Sequence, residues 1–294
     1  MSYDLYFRST SKGVSDDGFR RYFSERPNYA VEAGHAWYSN KDTGVYFCFD
    51  WSVPGDDKGD CEETYDASFN VNFLRPHPFG LEAEPEVAAF VEEFKLAAVD
   101  RQSDLMDSGA YSREAFLDSW NASNKTASEG LLSMPDNDLG TFALPAERIN
   151  ACWLWNFARS RLQVELTDDV FVPPIMFTLY EGRPQTFVVW PDAIPIALPT
   201  VDLFVLHRER ISDRRFLLFK KASWAIATDE SAEPHIGRFP MRNDPVPFRL
   251  LSYTEPPAEL VHYFNSLGVV NSLPEFIPFD KILEQELVDQ VRQQ

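Results

Sequence analysis

The chain has 294 residues and a formal net charge of −19 at pH 7, with 44% hydrophobic and 14% aromatic residues. This composition excludes a disordered chain, because enough apolar side chains are present to form a substantial core. No apolar run reaches the roughly 18 residues of a membrane span, and no cationic leader precedes an apolar stretch. The three cysteines form no paired-Cys motif, which favours free thiols. We therefore expect a cytoplasmic protein.

The negative charge is concentrated in the first half of the sequence. Residues 1–147 contain 12 Lys and Arg against 27 Asp and Glu, whereas residues 148–294 contain 15 against 19. Such a field repels nucleic acid and anionic membranes, and it accelerates encounter with a basic protein. We therefore expect a basic protein partner, no nucleic acid and no membrane.

The first hundred residues predict a strand, a helix, three strands and a second helix. Apolar residues at positions 3, 5 and 7 alternate with polar neighbours, as in a half-buried strand. A helix should follow, with Asp16 and Asp17 at its N-terminal cap. Further strands are expected near residues 30–38, over 45–51 and over 68–73. Apolar positions at helical spacing then predict a helix over 83–99, with this stripe: Val87, Phe90, Val91, Phe94 and Ala98.

The middle of the chain is expected to be helical or irregular. The segment 103–145 is polar and acidic, with one helix expected around 113–120. Residues 146–164 favour a helix that is apolar on most sides and therefore largely buried. From residue 168 onward, short apolar runs separated by Pro, Gly and charged turns predict strands again. Expected strands are 175–180, 186–190, 202–209, 216–220, 223–227 and 248–253, followed by helices around Leu260 and from Ile282 to Val291.

These patterns predict an α+β fold of two sheet-and-helix modules, with mainly antiparallel strands and C-terminal helices. The expected N-terminal module covers residues 1–102 and the C-terminal module covers residues 168–294. Residues 103–167 are expected to form the connector between the two modules.

The sequence contains no motif that carries a known chemistry. The five histidines never pair at helical spacing, and no HExxH, phosphate loop or GxSxG elbow occurs. We therefore expect no catalytic residue, no metal and no cofactor; a metal site assembled from residues distant in the sequence stays open as the alternative. Cys48 could act as a nucleophile only if folding brought a histidine near, and its alternating aromatic strand favours a structural thiol. Cys152, beside Trp153, is expected in the core.

An acidic stretch follows the strand over 45–51, with only Lys58 opposing it. Its candidate partner-binding residues are Asp56, Asp57, Asp60, Glu62 and Glu63. Three interpretations remain open: a solvated surface loop, a docking surface for a basic partner, or a calcium site. The calcium interpretation lacks the ligand spacing of a known calcium loop.

Three aromatic residues near this stretch complete the candidate partner-binding site: Trp37, Tyr38 and Tyr46. Aromatic anchors beside charged groups are typical of protein-binding surfaces, although these residues could equally face inward. A basic cluster also occurs in the second half: His207, Arg208, Arg210, Arg214, Arg215, Lys220 and Lys221. Glu209 and Asp213 interrupt this cluster, which favours a hairpin with paired charges over nucleic-acid binding.

Three stretches of the sequence resemble a family of bacterial cytoplasmic proteins. They are Met1–Phe7, Ala36–Phe47 and Phe187–Pro195, and the similarity spans nearly the whole chain. Some members of this family are associated with secreted toxin systems as cognate immunity proteins. The resemblance implies an inhibitor that neutralises a toxin, such as a type VI secretion effector with nuclease activity. The family offers no catalytic motif to carry over.

The sequence thus leaves three functional hypotheses. The first is an immunity protein that binds and occludes a secreted toxin in the cytoplasm, which is a binding role and not an enzymatic one. The second is a hydrolase or transferase whose site is assembled from scattered residues such as His35, Asp50, His207 and Glu209. The third is a structural or adaptor protein without inhibitory activity. We expect the first of these.

Overall fold

The computed structural model describes residues 1–9, 13–51, 65–102, 111–134, 139–211, 215–216, 219–220 and 223–292. The fold is α+β with mainly antiparallel sheets, which confirms the predicted class. The chain divides into two compact units. Unit 1 comprises residues 1–146 and 280–294, and unit 2 comprises residues 147–279. No helix in the described ranges combines the length and the hydropathy that crossing a membrane requires.

Unit 1 is built on a six-stranded antiparallel sheet with strand order β2-β3-β4-β5-β1-β6. Its strands are β1 (Ser2–Ser9), β2 (Tyr29–Glu32), β3 (His35–Ser39), β4 (Tyr46–Trp51), β5 (Ala67–Asn72) and β6 (Leu96–Asp100). The alternation read in the sequence places Tyr3, Leu5 and Phe7 on one face of β1, where all three are fully buried.

Three helices pack against this inner face: α1 (Asp16–Ser24), α2 (Pro78–Phe94) and α3 (Arg113–Leu132). Their aromatic side chains meet the sheet in ring contacts, such as Phe23 on Phe49 at 5.0 Å and Phe90 on Phe7 at 5.4 Å. The opposite face carries the alternate side chains of the strands. We call it the outer face and define it by these residues: Asp4, His35, Trp37, Cys48, Asp50 and Asn70.

The structure shifts two predicted helix boundaries in unit 1. Ser15, and not Asp16 or Asp17, caps α1, because its side chain accepts a hydrogen bond from the backbone of Gly18. The helix expected over 83–99 ends at Phe94, where Lys95 adopts a left-handed φ of 54°. Ala98 therefore lies in β6, which pairs with β1, and not on a helical stripe.

The remaining elements of unit 1 join distant parts of the chain. β7 (Phe142–Leu144) pairs in parallel with β18 (Ile282–Glu284), and α7 (Gln285–Arg292) follows directly. The helix expected to begin at Ile282 therefore begins at Gln285. The helix expected around 113–120 is longer than predicted, since α3 continues to Leu132. Its Phe116 and Trp120 are fully buried, so α3 belongs to the core of unit 1 and not to a connector.

Unit 2 combines helices with a five-stranded and a three-stranded sheet, ordered β14-β11-β9-β8-β17 and β10-β16-β15. Its strands are β8 (Met176–Tyr180), β9 (Arg183–Pro191), β10 (Ile196–Pro199), β11 (Leu203–Arg208), β12 (Arg215–Phe216), β13 (Phe219–Lys220), β14 (Ser223–Thr228), β15 (Met241–Arg242), β16 (Phe248–Leu251) and β17 (Glu275–Ile277). Its helices are α4 (Ala146–Leu166), α5 (Asp229–Ile236) and α6 (Ala258–Ser266).

The core of unit 2 is also aromatic. Trp155 and Trp190 are fully buried, and Trp190 meets Phe264 edge to face at 4.9 Å. The expectation that the helix over 146–164 is largely buried is only partly correct. One side of α4 faces outward, because Phe157 is 52% and Val164 is 81% exposed.

Candidate functional site

The hairpin of β3 and β4 sets which outer-face side chains of unit 1 become neighbours. The turn closes through a backbone hydrogen bond from Asn40 to Val45 at 3.0 Å, and Gly44 supplies a positive φ of 80°. The resulting register pairs His35 with Asp50 and Trp37 with Cys48. Because paired residues of antiparallel strands point to the same face, all four side chains lie together on the outer face.

His35, Cys48 and Asp50 form a compact cluster on this face. The Nδ1 atom of His35 lies 2.6 Å from Oδ1 of Asp50, and the Cys48 thiol donates to the same oxygen at 3.1 Å. One ligand atom from each residue lies within 4.8 Å of the other two. Burial raises the pKa of the Cys48 thiol far above its ordinary value, and the charge of Asp50 raises that pKa further.

The cluster brings a histidine close to Cys48, which is the condition for a cysteine nucleophile. The order of the three side chains, with Asp50 in the middle, is nevertheless unfavourable for this chemistry. In a cysteine nucleophile the imidazole accepts the thiol proton, and the carboxylate orients the imidazole from its far side. Here Asp50 lies between the other two groups and accepts a hydrogen bond from the thiol directly. Since the thiol pKa is raised and not lowered, the reactive thiolate is disfavoured. This geometry does not favour hydrolase or transferase chemistry at Cys48.

Trp37 is the most exposed aromatic residue of the candidate partner-binding set. It is 53% exposed on β3, and its ring lies 6.0 Å from the ring of His35, centroid to centroid. A half-exposed indole on a sheet face offers a large apolar surface at little conformational cost, which suits an anchor for a protein partner.

Tyr38 points to the inner face, as the alternation along β3 requires. It is 5% exposed and stacks on Phe47 at 4.3 Å. Its hydroxyl donates to the buried carboxylate of Glu82 at 2.8 Å, alongside donors from Asn40 and Thr43. Tyr38 therefore presents almost no surface to a partner and serves to satisfy a buried carboxylate.

Tyr46 is half-buried and held within unit 1. Its hydroxyl donates to Oδ2 of Asp280 at 2.9 Å and accepts a hydrogen bond from Arg75 at the same distance. The Arg75 guanidinium also lies 5.5 Å from the centre of the Tyr46 ring. These contacts hold the Tyr46 ring within unit 1 and leave only part of the residue exposed to a partner.

The acidic candidates lie outside the described residues: Asp56, Asp57, Asp60, Glu62 and Glu63. The strands that this segment connects are described. β4 ends at Trp51 and β5 begins at Ala67, and these two residues pair directly beside the pair formed by Asp50 and Ser68. The acidic segment is thus attached at the end of the sheet that carries His35 and Asp50.

Of the basic cluster in the second half of the sequence, His207 and Arg208 are held by contacts within unit 2, as far as the described residues show. Arg208 is 3% exposed, and its guanidinium donates to the backbone oxygen atoms of Phe264 and Leu267. His207 packs on Trp224, with ring centroids 4.4 Å apart. The buried Arg208 therefore contributes to the fold of unit 2 and is not available for contact with phosphates.

Comparisons with protein-family models, curated proteins and solved structures gave no significant match to this chain.

The sequence offers His35 and Asp50 only as scattered candidates, because motif spacing does not group residues of different strands with Cys48. The signal that could group them is the composition of residues 41–44, Lys-Asp-Thr-Gly, which is typical of a hairpin turn. Counting outward from this turn gives the β3–β4 register, which pairs His35 with Asp50.

Proposed function

We propose that unit 1 binds a basic protein through its outer face and that the chain acts as an immunity protein, occluding a secreted toxin. The observation that carries the proposal is the exposure of Trp37, which is 53% accessible beside the half-exposed pair of His35 and Asp50. Buried aromatic anchors surrounded by polar groups supply most of the binding energy of protein interfaces. Trp37 is placed to become such an anchor when a partner covers it.

The distribution of charge supports a basic partner. Unit 1 contains 14 Lys and Arg against 30 Asp and Glu, a net charge of −16, whereas unit 2 contains 13 against 16. The acidic segment contributes to this charge, and it follows directly after Trp51, next to Asp50 in β4. Complementary charge raises the rate of association and disfavours partners of like sign. Nucleases carry cationic surfaces that bind phosphates, so an acidic protein can occupy the same surface.

The geometry of the cluster supports occlusion over catalysis. The only cysteine described on the outer face donates a hydrogen bond to Asp50 and is not activated by His35. Blocking a toxin requires no reaction, because covering its substrate site is sufficient. The three sequence blocks resemble a family of bacterial cytoplasmic proteins, some of which are associated with secreted toxins as immunity proteins, and this resemblance supports a toxin as the partner and the cytoplasm as the place of action.

The proposal is tested by identifying a toxin gene next to the gene for this chain and co-expressing the two, with survival of the host cell as the readout. The wild-type chain should protect the cell and co-purify with the toxin. Trp37→Ala should reduce both protection and co-purification. Phe157→Ala is the matched control, because Phe157 is 52% exposed but lies in unit 2.

Circular dichroism must first show that both variants fold. If Trp37→Ala is folded and protects as well as the wild type, the outer face is not the interface. Binding without protection would support the adaptor hypothesis in place of inhibition. If the toxin neither binds nor is neutralised, the proposal is wrong for that partner class.

A further inference from the structure

The cluster of His35, Cys48 and Asp50 brings together three different types of metal ligand, which partner binding does not require. An imidazole nitrogen, a thiol sulfur and a carboxylate oxygen lie within 4.8 Å of one another. The side chains of His35 and Asp50 are 50% and 35% exposed, whereas Cys48 is 3% exposed. A cation could therefore reach the cluster from solvent and meet a sulfur held in the sheet.

We propose that His35, Cys48 and Asp50 bind a zinc ion on the outer face of unit 1. This inference runs against the sequence-based expectation of a metal-free chain and is independent of partner binding. Mixed nitrogen, sulfur and oxygen ligands suit Zn²⁺, whereas Ca²⁺ and Mg²⁺ prefer oxygen ligands alone. With three protein ligands, the fourth tetrahedral position is left to water, as in zinc sites that are accessible to solvent.

The spacing requires a small adjustment that the site can make. Ligand atoms on a tetrahedral zinc lie about 3.3 Å apart for nitrogen and oxygen, given metal–ligand distances near 2.0–2.1 Å. The Nδ1 and Oδ1 atoms are now 2.6 Å apart, so they must separate as the ion enters between them. Zinc binding also releases the Cys48 thiol proton to solvent, because the ion binds the thiolate. The exposed His35 side chain can move outward, while the paired backbones of β3 and β4 keep the two strands in register.

The chain offers a spectroscopic test that reports the sulfur ligand directly. The experiment uses the full chain in a Cys61→Ser background, because Cys61 lies outside the described residues and offers another thiol. Zinc content is measured after dialysis, and Co²⁺ is added to the metal-free protein as a probe. We expect one zinc per chain, and a thiolate-to-cobalt charge-transfer band that zinc abolishes by competition.

Two ligand variants and one control separate a specific site from general metal uptake. Loss of a group that merely supports a ligand commonly weakens metal affinity by 10–100-fold, so losing a ligand should weaken it by about 100-fold or more. His35→Ala and Cys48→Ser should both show this loss. His35→Ala carries the test if Cys48→Ser fails to fold, since His35 is half-exposed. His262→Ala, an exposed histidine of unit 2, should bind zinc as the parent chain does.

Two results would overturn the proposal. One is the absence of stoichiometric zinc and of a cobalt charge-transfer band in the folded parent chain. The other is zinc binding that survives His35→Ala and Cys48→Ser, because the ion would then be held elsewhere. The effect of Trp37→Ala on toxin binding does not enter either zinc measurement. The zinc proposal and the proposed function can therefore be refuted independently of each other.

Discussion

The indole of Trp120 packs directly on the backbone of Gly80, where a Cβ atom would lie closer than 3.0 Å to the ring. Gly80 is in the first turn of α2, and Trp120 is fully buried on α3. The absence of a side chain at position 80 therefore allows the two helices to approach each other over the inner face of the sheet. This contact joins the predicted second helix to a helix that the sequence assigned to a connector.

We predict that Gly80→Ala lowers the free energy of unfolding by roughly 1–3 kcal/mol, which is the usual cost of overpacking a core. Gly130→Ala is the matched control, since Gly130 is exposed on α3 with no atom within 4 Å of its added Cβ. The control should gain about 0.5–1 kcal/mol from helix propensity. Urea denaturation, monitored by circular dichroism, measures the free energy of unfolding of both variants. Equal stability of the two variants would show that Trp120 moves aside freely.

The phenolic groups of Tyr22 and Tyr38 give a second matched pair. The Tyr22 hydroxyl is buried without a hydrogen-bond partner among the described residues, whereas Tyr38 donates to Glu82. Removing an unpaired hydroxyl leaves no group unsatisfied, so Tyr22→Phe should keep or slightly raise the stability. Tyr38→Phe removes a donor from a buried carboxylate and should cost about 1.5–3 kcal/mol. Denaturation at neutral pH measures the difference, and a larger loss for Tyr22→Phe would contradict it.

Much of unit 1 was predictable because its strands have one buried and one polar face. Tyr3, Leu5 and Phe7 gave a clear two-residue period, and the structure places them on the inner face. The strand that contains Leu96 and Ala98 was harder to predict, because a short apolar run after a helix fits both the helical and the strand period. Lys95 ends α2 in a left-handed conformation, and no Gly or Pro at this position indicates the end of the helix in the sequence. The β6 strand therefore could not be separated from the helix by pattern alone.

The candidate site was predictable only in part, because it depends on pairing between strands. The alternation within β3 already places Trp37 and Tyr38 on opposite faces, but it does not say which face the helices cover. That choice is fixed by packing: Tyr38 meets the carboxylate of Glu82 on α2, and Trp37 is left outside. The asymmetry between these neighbours arises from α2, which follows them in the chain and could not be oriented from the sequence.

Buried tyrosines predict a loss of stability at high pH. Burial raises the pKa of Tyr22 from 10.0 to about 12, and it raises the pKa values of Tyr3 and Tyr29 further. The folded chain therefore keeps protons that the unfolded chain releases above pH 10. The stability contributed by these groups is fully present below pH 10 and is lost as the pH rises through the folded pKa values.

Absorbance of tyrosinate, measured with circular dichroism, checks this prediction. In guanidinium chloride the tyrosines should titrate together near their ordinary pKa. In the native chain the buried ones should titrate only above about pH 12 or together with unfolding. A native titration that overlays the denatured one while the fold persists would contradict the assigned burial.

The last prediction separates the roles of the acidic segment and Trp37 in the proposed binding of a toxin. Neutralising the segment should lower the association rate, because long-range charge steers the encounter. The salt dependence of that rate should weaken as well, since exposed charges are screened over about 8 Å at physiological ionic strength. The variant changes the following residues to Asn or Gln: Asp56, Asp57, Asp60, Glu62 and Glu63. Its control neutralises five exposed acids of unit 2: Asp168, Asp169, Glu181, Glu230 and Glu255.

Trp37→Ala should change the dissociation rate constant and not the association rate constant. An aromatic anchor is desolvated only in the bound complex, so its loss should raise the dissociation rate and cost roughly 2 kcal/mol, or about 30-fold in affinity. Surface plasmon resonance with the purified toxin domain at several salt concentrations measures both effects. Because Trp37 is half-exposed in the free chain, its replacement should leave the unfolding transition nearly unchanged. If the neutralised segment associates at the wild-type rate even at low salt, it is solvated surface, and steering must come from other charges of unit 1.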